Sequence, residues 1–109
     1  MLDIEVFIEK IKKKSRILGV DPGAKRIGIA ISDENKIVAT PYTTIIKENY
    51  ANLVSQIGKI VKEYKIDGIV IGNPINMDGS EGPSSQSAKD LAINLSKDIT
   101  ENITLWDER

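Results

Sequence analysis

The feature that most constrains the fold is an apolar stretch that ends on a carboxylate and then turns straight back. Residues 16–21 (RILGVD) predict a buried strand, and residues 22–25 (PGAK) predict the turn that follows it. Residues 27–32 alternate isoleucine with glycine, alanine or serine. This period of two predicts a strand, and the small residues on one of its faces suggest that a helix covers that face closely. The sheet therefore begins with an antiparallel pair, and Asp21 closes its first strand.

The middle of the chain continues with a strand, a helix and a strand. Residues 37–44 predict a third strand, in which Pro41 favours an edge position or a bulge. A helix follows with Asn49 as its N-cap. Its apolar residues recur at helical spacing: Leu53, Val54, Ile57, Ile60, Val61 and Tyr64. Residues 66–72 contain a continuous apolar run and predict a strand buried on both faces.

The last third of the chain predicts a loop, a helix and a final strand. Residues 73–83 form the loop, which includes Asp78 and Glu81 and is long enough to suggest a function. Residues 84–98 predict the helix, and residues 103–106 the strand. The order β-β-β-α-β-α-β predicts an α/β fold, a mixed sheet with helices on both faces.

Residues 1–15 predict an amphipathic helix in front of this domain. Ile4, Phe7, Ile8 and Ile11 recur at helical spacing, and the basic run 12–14 ends the helix. A solvated helix end explains these three lysines most simply, because cations suit a helix C-terminus, and phosphate contact is the alternative. We divide the chain into a helical extension, residues 1–15, and one domain, residues 16–109.

Composition excludes several classes of chemistry. The 109 residues suffice for one domain and contain neither cysteine nor histidine, which excludes disulfides, the usual zinc sites and histidine acid–base catalysis. Catalysis then depends on carboxylates, lysines, hydroxyls or a bound metal. A net charge of -1 argues against a simple basic nucleic-acid binder. Without a membrane-length apolar run or a secretory signal, we expect a cytoplasmic protein that does not bind membranes.

The acidic residues and the longest loop fall at one predicted edge of the sheet. Asp21, the loop of residues 73–83 and the pair Asp107–Glu108 all follow parallel strands, whose carboxyl ends bind ligands in such sheets. Magnesium is held by one or two carboxylates together with water and phosphate oxygens, so Asp21 and Glu108 could form such a pair. Two ions of this kind can clamp an in-line phosphoryl displacement without histidine.

Each of these residues also has a simpler interpretation. Asp21 before Pro-Gly is a common turn, and charges at positions 107 and 108 are ordinary near a chain end. Trp106 is expected in the core or at its rim rather than as a base-stacking platform. Gly23 lets the backbone turn sharply, and Lys25 and Arg26 beside it could contact phosphates.

Three ordered blocks resemble the signature motifs of the YqgF family. They are residues 17–33 (ILGVDPGAKRIGIAISD), 69–83 (IVIGNPINMDGSEGP) and 105–109 (LWDER). The resemblance spans residues 16–109. It implies a ribonuclease H-like fold, similar to the RuvC Holliday junction resolvases. Members are described as candidate Holliday junction resolvases and as candidate nucleases that mature the 5′ end of pre-16S ribosomal RNA.

The resemblance also implies a site and a cofactor. Asp21 matches the first catalytic aspartate and Glu108 the second acidic position, with Asp107 beside it. Both would bind Mg²⁺ or Mn²⁺ for phosphodiester hydrolysis in structured RNA or branched DNA. The residues that we expect to contact the substrate are Gly23, Lys25, Arg26, Asn73 and Arg109. A homodimer is an open possibility, because a four-way junction has two related strands.

One departure from the family concerns a third catalytic aspartate. Members continue past the last block into a helix that provides it, and this C-terminal helix is absent from the sequence. The N-terminal helix could take its place, as in a circular permutation, and Asp3 would then stand near Asp21. The simpler alternative is that Asp3 caps the helix or favours its N-terminus.

Two other functional classes compete with a nuclease. An Asp-x-Gly turn between the first two strands also resembles the first phosphate loop of actin-like ATPases, although this chain has one such domain and no second phosphate loop. A non-catalytic fragment that binds nucleic acid is the other alternative. Nucleotide-dependent thermal stabilisation would indicate the first class, and binding that survives loss of Asp21 the second.

Overall fold

A computed structural model gives the fold and describes residues 1–23, 25–36, 38–46, 49–74, 82–99 and 102–108, without the side chains of residues 83–85 and 108. The elements in chain order are α1 (Ile4–Lys10), β1 (Arg16–Pro22), β2 (Arg26–Ser32), β3 (Ala39–Ile46), α2 (Tyr50–Glu63), β4 (Ile66–Pro74), α3 (Pro83–Asp98) and β5 (Asn102–Glu108). This order confirms the predicted helix followed by β-β-β-α-β-α-β. The predicted loop residues Asp78 and Glu81 lie outside the described residues.

The strands form one mixed sheet in the order β3-β2-β1-β4-β5. β1 pairs antiparallel with β2, and β2 with β3, whereas β4 is parallel to both β1 and β5. The crossovers through α2 and α3 move in the same direction across the sheet. Because such crossovers are right-handed, they place both helices on the same face.

The main core lies between this face of the sheet and the two long helices. Its largest contributions come from Leu18, Val20, Ile27, Ile29, Ile45, Ile69, Ile71 and Ile103 on the strands, and from Leu53, Ile57, Ile60, Ala88, Leu91, Ala92 and Leu95 on the helices. The predicted start of α2 is confirmed, because Asn49 Oδ1 accepts a hydrogen bond of 2.7 Å from the Asn52 N–H.

The N-terminal helix packs on the opposite face. Phe7 is 1% exposed and lies against Gly68, which alternates along β4 with the core residue Ile69. A Cβ at position 68 would stand only 2.5 Å from Phe7 Cζ. Glycine at this position therefore lets α1 approach the sheet closely, and the prediction of helices on both faces is confirmed.

The predicted extent of the N-terminal helix was wrong. α1 ends at Lys10, where Ile11 turns extended with ψ 145° and the Lys12 N–H bonds to Asp67 Oδ2 at 2.6 Å. The Asp67 carboxylate thus accepts the hydrogen bond that the Lys12 N–H would have donated within a longer helix. Ile8 is 61% exposed, so it does not belong to the buried face. The three lysines follow the helix instead of ending it.

The third strand is displaced from its predicted position but behaves as Pro41 indicated. β3 covers Ala39–Ile46 and lies at the sheet edge. Ile29 pairs with Thr43 and Ala30 with Pro41, so an extra residue bulges between them. Proline has no N–H to donate to the ladder of hydrogen bonds between strands. It is tolerated here because β3 is an edge strand and the bulge interrupts the ladder.

Within the residues that the structure describes, no helix is both long enough and apolar enough to cross a membrane.

Candidate functional site

Asp21 lies near the end of β1, on the face opposite the main core. Leu18 and Val20 point into that core, and strand alternation turns Asp21 to the other side, where it is exposed. Across the β1–β2 pair it faces Gly28, whose added Cβ would stand 3.6 Å from Asp21 Cβ. The residues described by the structure offer the Asp21 carboxylate neither a hydrogen bond nor an ion pair. The side chain is therefore available to a ligand from solvent.

The surface beside Asp21 consists mainly of small residues. It forms a depression of about 360 Å³ whose floor includes Gly19, Gly28, Ala30 and Gly72. The sequence predicted a helix over the small face of β2. None of the described helices packs there, and the described helix on this side, α1, lies over Gly68 instead.

The turn after Asp21 requires glycine for a steric reason. The Gly23 N–H donates a 2.9 Å hydrogen bond to the Arg26 carbonyl oxygen, and a Cβ on residue 23 would stand 2.4 Å from that oxygen. Lys25 and Arg26 are exposed at this turn. The turn thus presents two cations within a few residues of the Asp21 carboxylate.

The acidic pair at the end of β5 is joined to the end of β4. Asn73 pairs with Asp107 and Pro74 with Glu108 in the parallel register. Asn73 is 3% exposed, and its Nδ2 donates a hydrogen bond of 3.1 Å to Asp107 Oδ1. A buried amide therefore holds the Asp107 carboxylate in place, a positioning contact that sequence reasoning did not foresee.

The parallel strands bring the predicted site residues to one edge. Asp21 and the 107–108 segment flank the end of β4, so two strand spacings, roughly 10 Å, separate the β1 and β5 backbones there. Position 108 is described by its backbone alone, and Arg109 lies outside the described residues. No group of three or more potential metal ligands occurs among the described side chains.

The sequence predicted Trp106 in the core or at its rim, and the structure excludes the core. The Trp106 side chain is 56% exposed, and the residue pairs with Gly72, one of the residues beside the Asp21 depression. The alternation of Ile103 and Leu105, which both pack toward the main core, would have revealed this outward position.

The placement of Asp3 contradicts the circular-permutation hypothesis, in which Asp3 would stand near Asp21. The Leu2 N–H bonds to the Ile103 carbonyl at 2.7 Å, and Leu2 forms a bridge with Thr104 at the outer edge of β5. Three strand spacings, roughly 14 Å, then separate this segment from β1. Asp3 occupies the N-cap position of α1, but its side chain makes no capping hydrogen bond.

Comparison with known proteins identifies the family. The family model described as RuvX, Holliday junction resolvase, matches residues 15–109. The chain belongs to the RuvX family. This confirms the resemblance to YqgF proteins that the three sequence blocks indicated, and it makes nuclease chemistry the relevant activity class.

A RuvX relative from Pelagibacter ubique (strain HTCC1062) bears the name "Putative pre-16S rRNA nuclease". It is 49% identical over 109 residues, which are 100% of this chain and 72% of the relative. The matched region includes α1, which lies outside the RuvX family model.

Solved structures confirm the ribonuclease H-like fold. Thermus thermophilus RuvC in complex with a Holliday junction substrate has a TM-score of 0.57 at 7% identity, over 85% of this chain and 64% of RuvC. A Bacteroides thetaiotaomicron protein with an actin-like ATPase fold has a TM-score of 0.52 at 10% identity, over 94% of this chain and 36% of that protein. Both nuclease and ATPase folds match, so the fold alone does not select an activity.

Proposed function

We propose that this chain is the catalytic region of a metal-dependent nuclease that hydrolyses phosphodiester bonds in structured nucleic acid. The observation that supports this best is the exposed Asp21 carboxylate at the sheet edge where β5 ends on Asp107 and Glu108. The preferred substrate is pre-16S rRNA, the substrate in the name of the Pelagibacter relative. A Holliday junction is the alternative substrate, because the matching family model is described as a Holliday junction resolvase.

The donor set at this edge suits a hard divalent cation. Asp21 and Glu108 would hold Mg²⁺ or Mn²⁺, because such ions prefer carboxylate oxygens and need only one or two of them beside water and phosphate. The small residues around Asp21 leave room for a hydrated ion and a phosphate group. When bound, the metal would stabilise the charge that develops on the oxygens of the transferring phosphoryl group.

The other residues at the edge would position the substrate. Lys25 and Arg26 extend from the turn that Gly23 makes possible, and both are suited to phosphate oxygens. Asn73, which the sequence predicted to contact the substrate, is 3% exposed and would instead act indirectly, because its amide holds Asp107 beside the Glu108 position. Arg109 remains a predicted phosphate contact. Location in the cytoplasm and assembly into a homodimer also remain predictions.

The alternatives make different predictions at Asp21. ATP with magnesium would stabilise a nucleotide-binding module of the actin-like fold thermally beyond the effect of magnesium alone, whereas a nuclease of this type would show no such additional stabilisation. A non-catalytic nucleic-acid binder would retain structured RNA after Asp21→Asn and cleave nothing in either form.

The test is cleavage of labelled structured RNA and four-way DNA junctions by the whole chain with Mg²⁺ or Mn²⁺. We expect cleavage by the wild-type chain, its loss with a chelator, and its loss in Asp21→Asn and Glu108→Gln. Asp90→Asn is the matched control, because Asp90 is an exposed carboxylate on α3 that bonds to Gln86. Cleavage that persists in Asp21→Asn would rule out this site.

A further inference from the structure

Three exposed lysines lie at the end of the sheet opposite Asp21. Lys12, Lys13 and Lys14 occupy the segment between α1 and β1, and all three are exposed. Among the described residues, their side chains form no ion pair and no hydrogen bond. We call residues 12–14 the lysine segment. Its three side chains extend into solvent.

The backbone of the lysine segment is held by specific hydrogen bonds. The Lys12 N–H donates to Asp67 Oδ2 at 2.6 Å, and Ser15 Oγ donates to the Lys12 carbonyl at 2.9 Å. Lys36 Nζ donates to the carbonyl oxygens of Lys12 and Lys13 at 2.6 and 2.7 Å. Two of these partners, Asp67 and Lys36, come from distant parts of the chain, and Ser15 directly follows the segment. The backbone of Lys12 and Lys13 is therefore tied to β4 and to the turn after β2.

The hydrogen bonds also concentrate positive charge. The Lys36 ammonium is held beside the lysine segment, while the Asp67 carboxylate accepts from the Lys12 backbone and from Ser15. The adjoining cavity of about 550 Å³ is lined by two further cations, Arg16 and Lys65. The carboxylates of Glu34 and Glu63 also line this cavity. Closely spaced like charges raise the energy of the folded state, and a polyanion would relieve that repulsion.

The position of the lysine segment separates it from the candidate catalytic edge. β1 joins the two, and the five residue steps from Arg16 to Asp21 span about 17 Å at 3.3 Å per residue. That length corresponds to about six base pairs of an A-form RNA duplex, whose rise of about 2.8 Å per pair is smaller than the 3.4 Å of B-form DNA. The segment also precedes the region that the RuvX family model matches, residues 15–109.

We propose that the lysine segment, with Lys36, is a second contact surface for the phosphate backbone of structured RNA. The proposal rests on the nuclease function proposed above and adds to it a requirement for a duplex that extends beyond the cleavage edge. An acidic protein is the less suitable partner, since protein interfaces are depleted in lysine and enriched in aromatic residues, and the segment contains no aromatic residue. Lysine ammonium groups suit phosphates as point charges.

The test measures affinity for an RNA hairpin against salt concentration, with a chelator present so that nothing is cleaved. The variant is Lys13→Gln with Lys14→Gln, and the matched control is Lys59→Gln with Lys97→Gln, two exposed lysines on α2 and α3. For a long stem, we expect the variant to lose on the order of tenfold in affinity and the log–log salt slope to fall by about two. The control and a stem shorter than about six base pairs should show neither change.

The outcomes separate this surface from the catalytic proposal. Cleavage that persists in Asp21→Asn, together with a reduced slope in the Lys13/Lys14 variant, would support the surface and reject the nuclease site. A wild-type salt slope in the Lys13/Lys14 variant would overturn the surface, whatever the cleavage assay gives. Loss of binding to polyglutamate, with RNA binding unchanged, would also overturn it and indicate an acidic protein partner.

Discussion

Asn73 Nδ2 donates a hydrogen bond to Asp107 Oδ1 across the ends of β4 and β5, over 3.1 Å. The donor is buried, whereas the acceptor is an exposed carboxylate next to the second predicted catalytic position. This contact joins the interior of the sheet to its candidate catalytic edge. It makes Asn73 the residue at which stability and activity should change together.

Replacing Asn73 by alanine should lower the free energy of unfolding by about 1.5–3 kcal/mol, the range for a hydrogen bond to a charged group. Cleavage should fall on the order of tenfold, because residues that orient a ligand-bearing segment typically have effects of that size. Urea denaturation and the cleavage assay measure the two effects. Asp107→Asn is the control, because its amide oxygen can still accept the bond. An unchanged cleavage rate in Asn73→Ala would contradict the positioning role.

Gly68→Ala should weaken the docking of α1. The new methyl group would stand 2.5 Å from Phe7 Cζ, and overpacking of this kind costs about 1–3 kcal/mol. Amide hydrogen exchange should show lost protection concentrated in α1. Gly58→Ala is the matched control, since nothing lies within 4 Å of a Cβ there. At that position in the middle of α2, alanine should stabilise the protein by about 0.5–1 kcal/mol. Equal effects of the two variants would refute the close packing of α1.

Asn49→Ala should destabilise the protein by about 1 kcal/mol, the usual effect of losing a helix N-cap. The reason is the lost 2.7 Å hydrogen bond from the Asn52 N–H to Asn49 Oδ1. Asn49→Asp should retain most of the stability, because its carboxylate accepts the same bond. Thermal unfolding of both variants checks this, with Asn52→Ala as the control, because that variant keeps the donor N–H. A loss in Asn49→Asp as large as in Asn49→Ala would exclude the capping explanation.

Tyr50 should ionise at higher pH than an ordinary tyrosine. Burial and the neighbouring Asp98 carboxylate, which accepts a 3.3 Å bond from the hydroxyl, raise its pKa to about 12. Folding thus favours the neutral phenol, so this stabilisation is complete below pH 10 and disappears between about pH 10 and 12. Ultraviolet titration of the wild type against Tyr50→Phe isolates this group. Asp98→Asn should lower its pKa, and an unchanged titration in that variant would exclude the role of Asp98.

Much of the fold was predictable because its signals are local. The alternation of residues 27–32 predicted β2, and the helical spacing after Asn49 predicted α2 with its cap. Pro41 predicted an edge or bulge, and both occur. The motifs also placed Asp21 and Glu108 at strand ends, where parallel strands finish together. These inferences depend on interactions among residues that are neighbours in the sequence.

Contacts between distant residues decided the rest. Asp67 ends α1 by binding Lys12, fifty-five positions away, and Leu2 pairs with Thr104 and so keeps Asp3 at the far edge of the sheet. By itself, the sequence determined the order of the elements and the carboxylates that end them, since periodicity and turns act over short range. Only the tertiary structure decided which donors meet which acceptors, because those pairings exist only after the sheet has assembled.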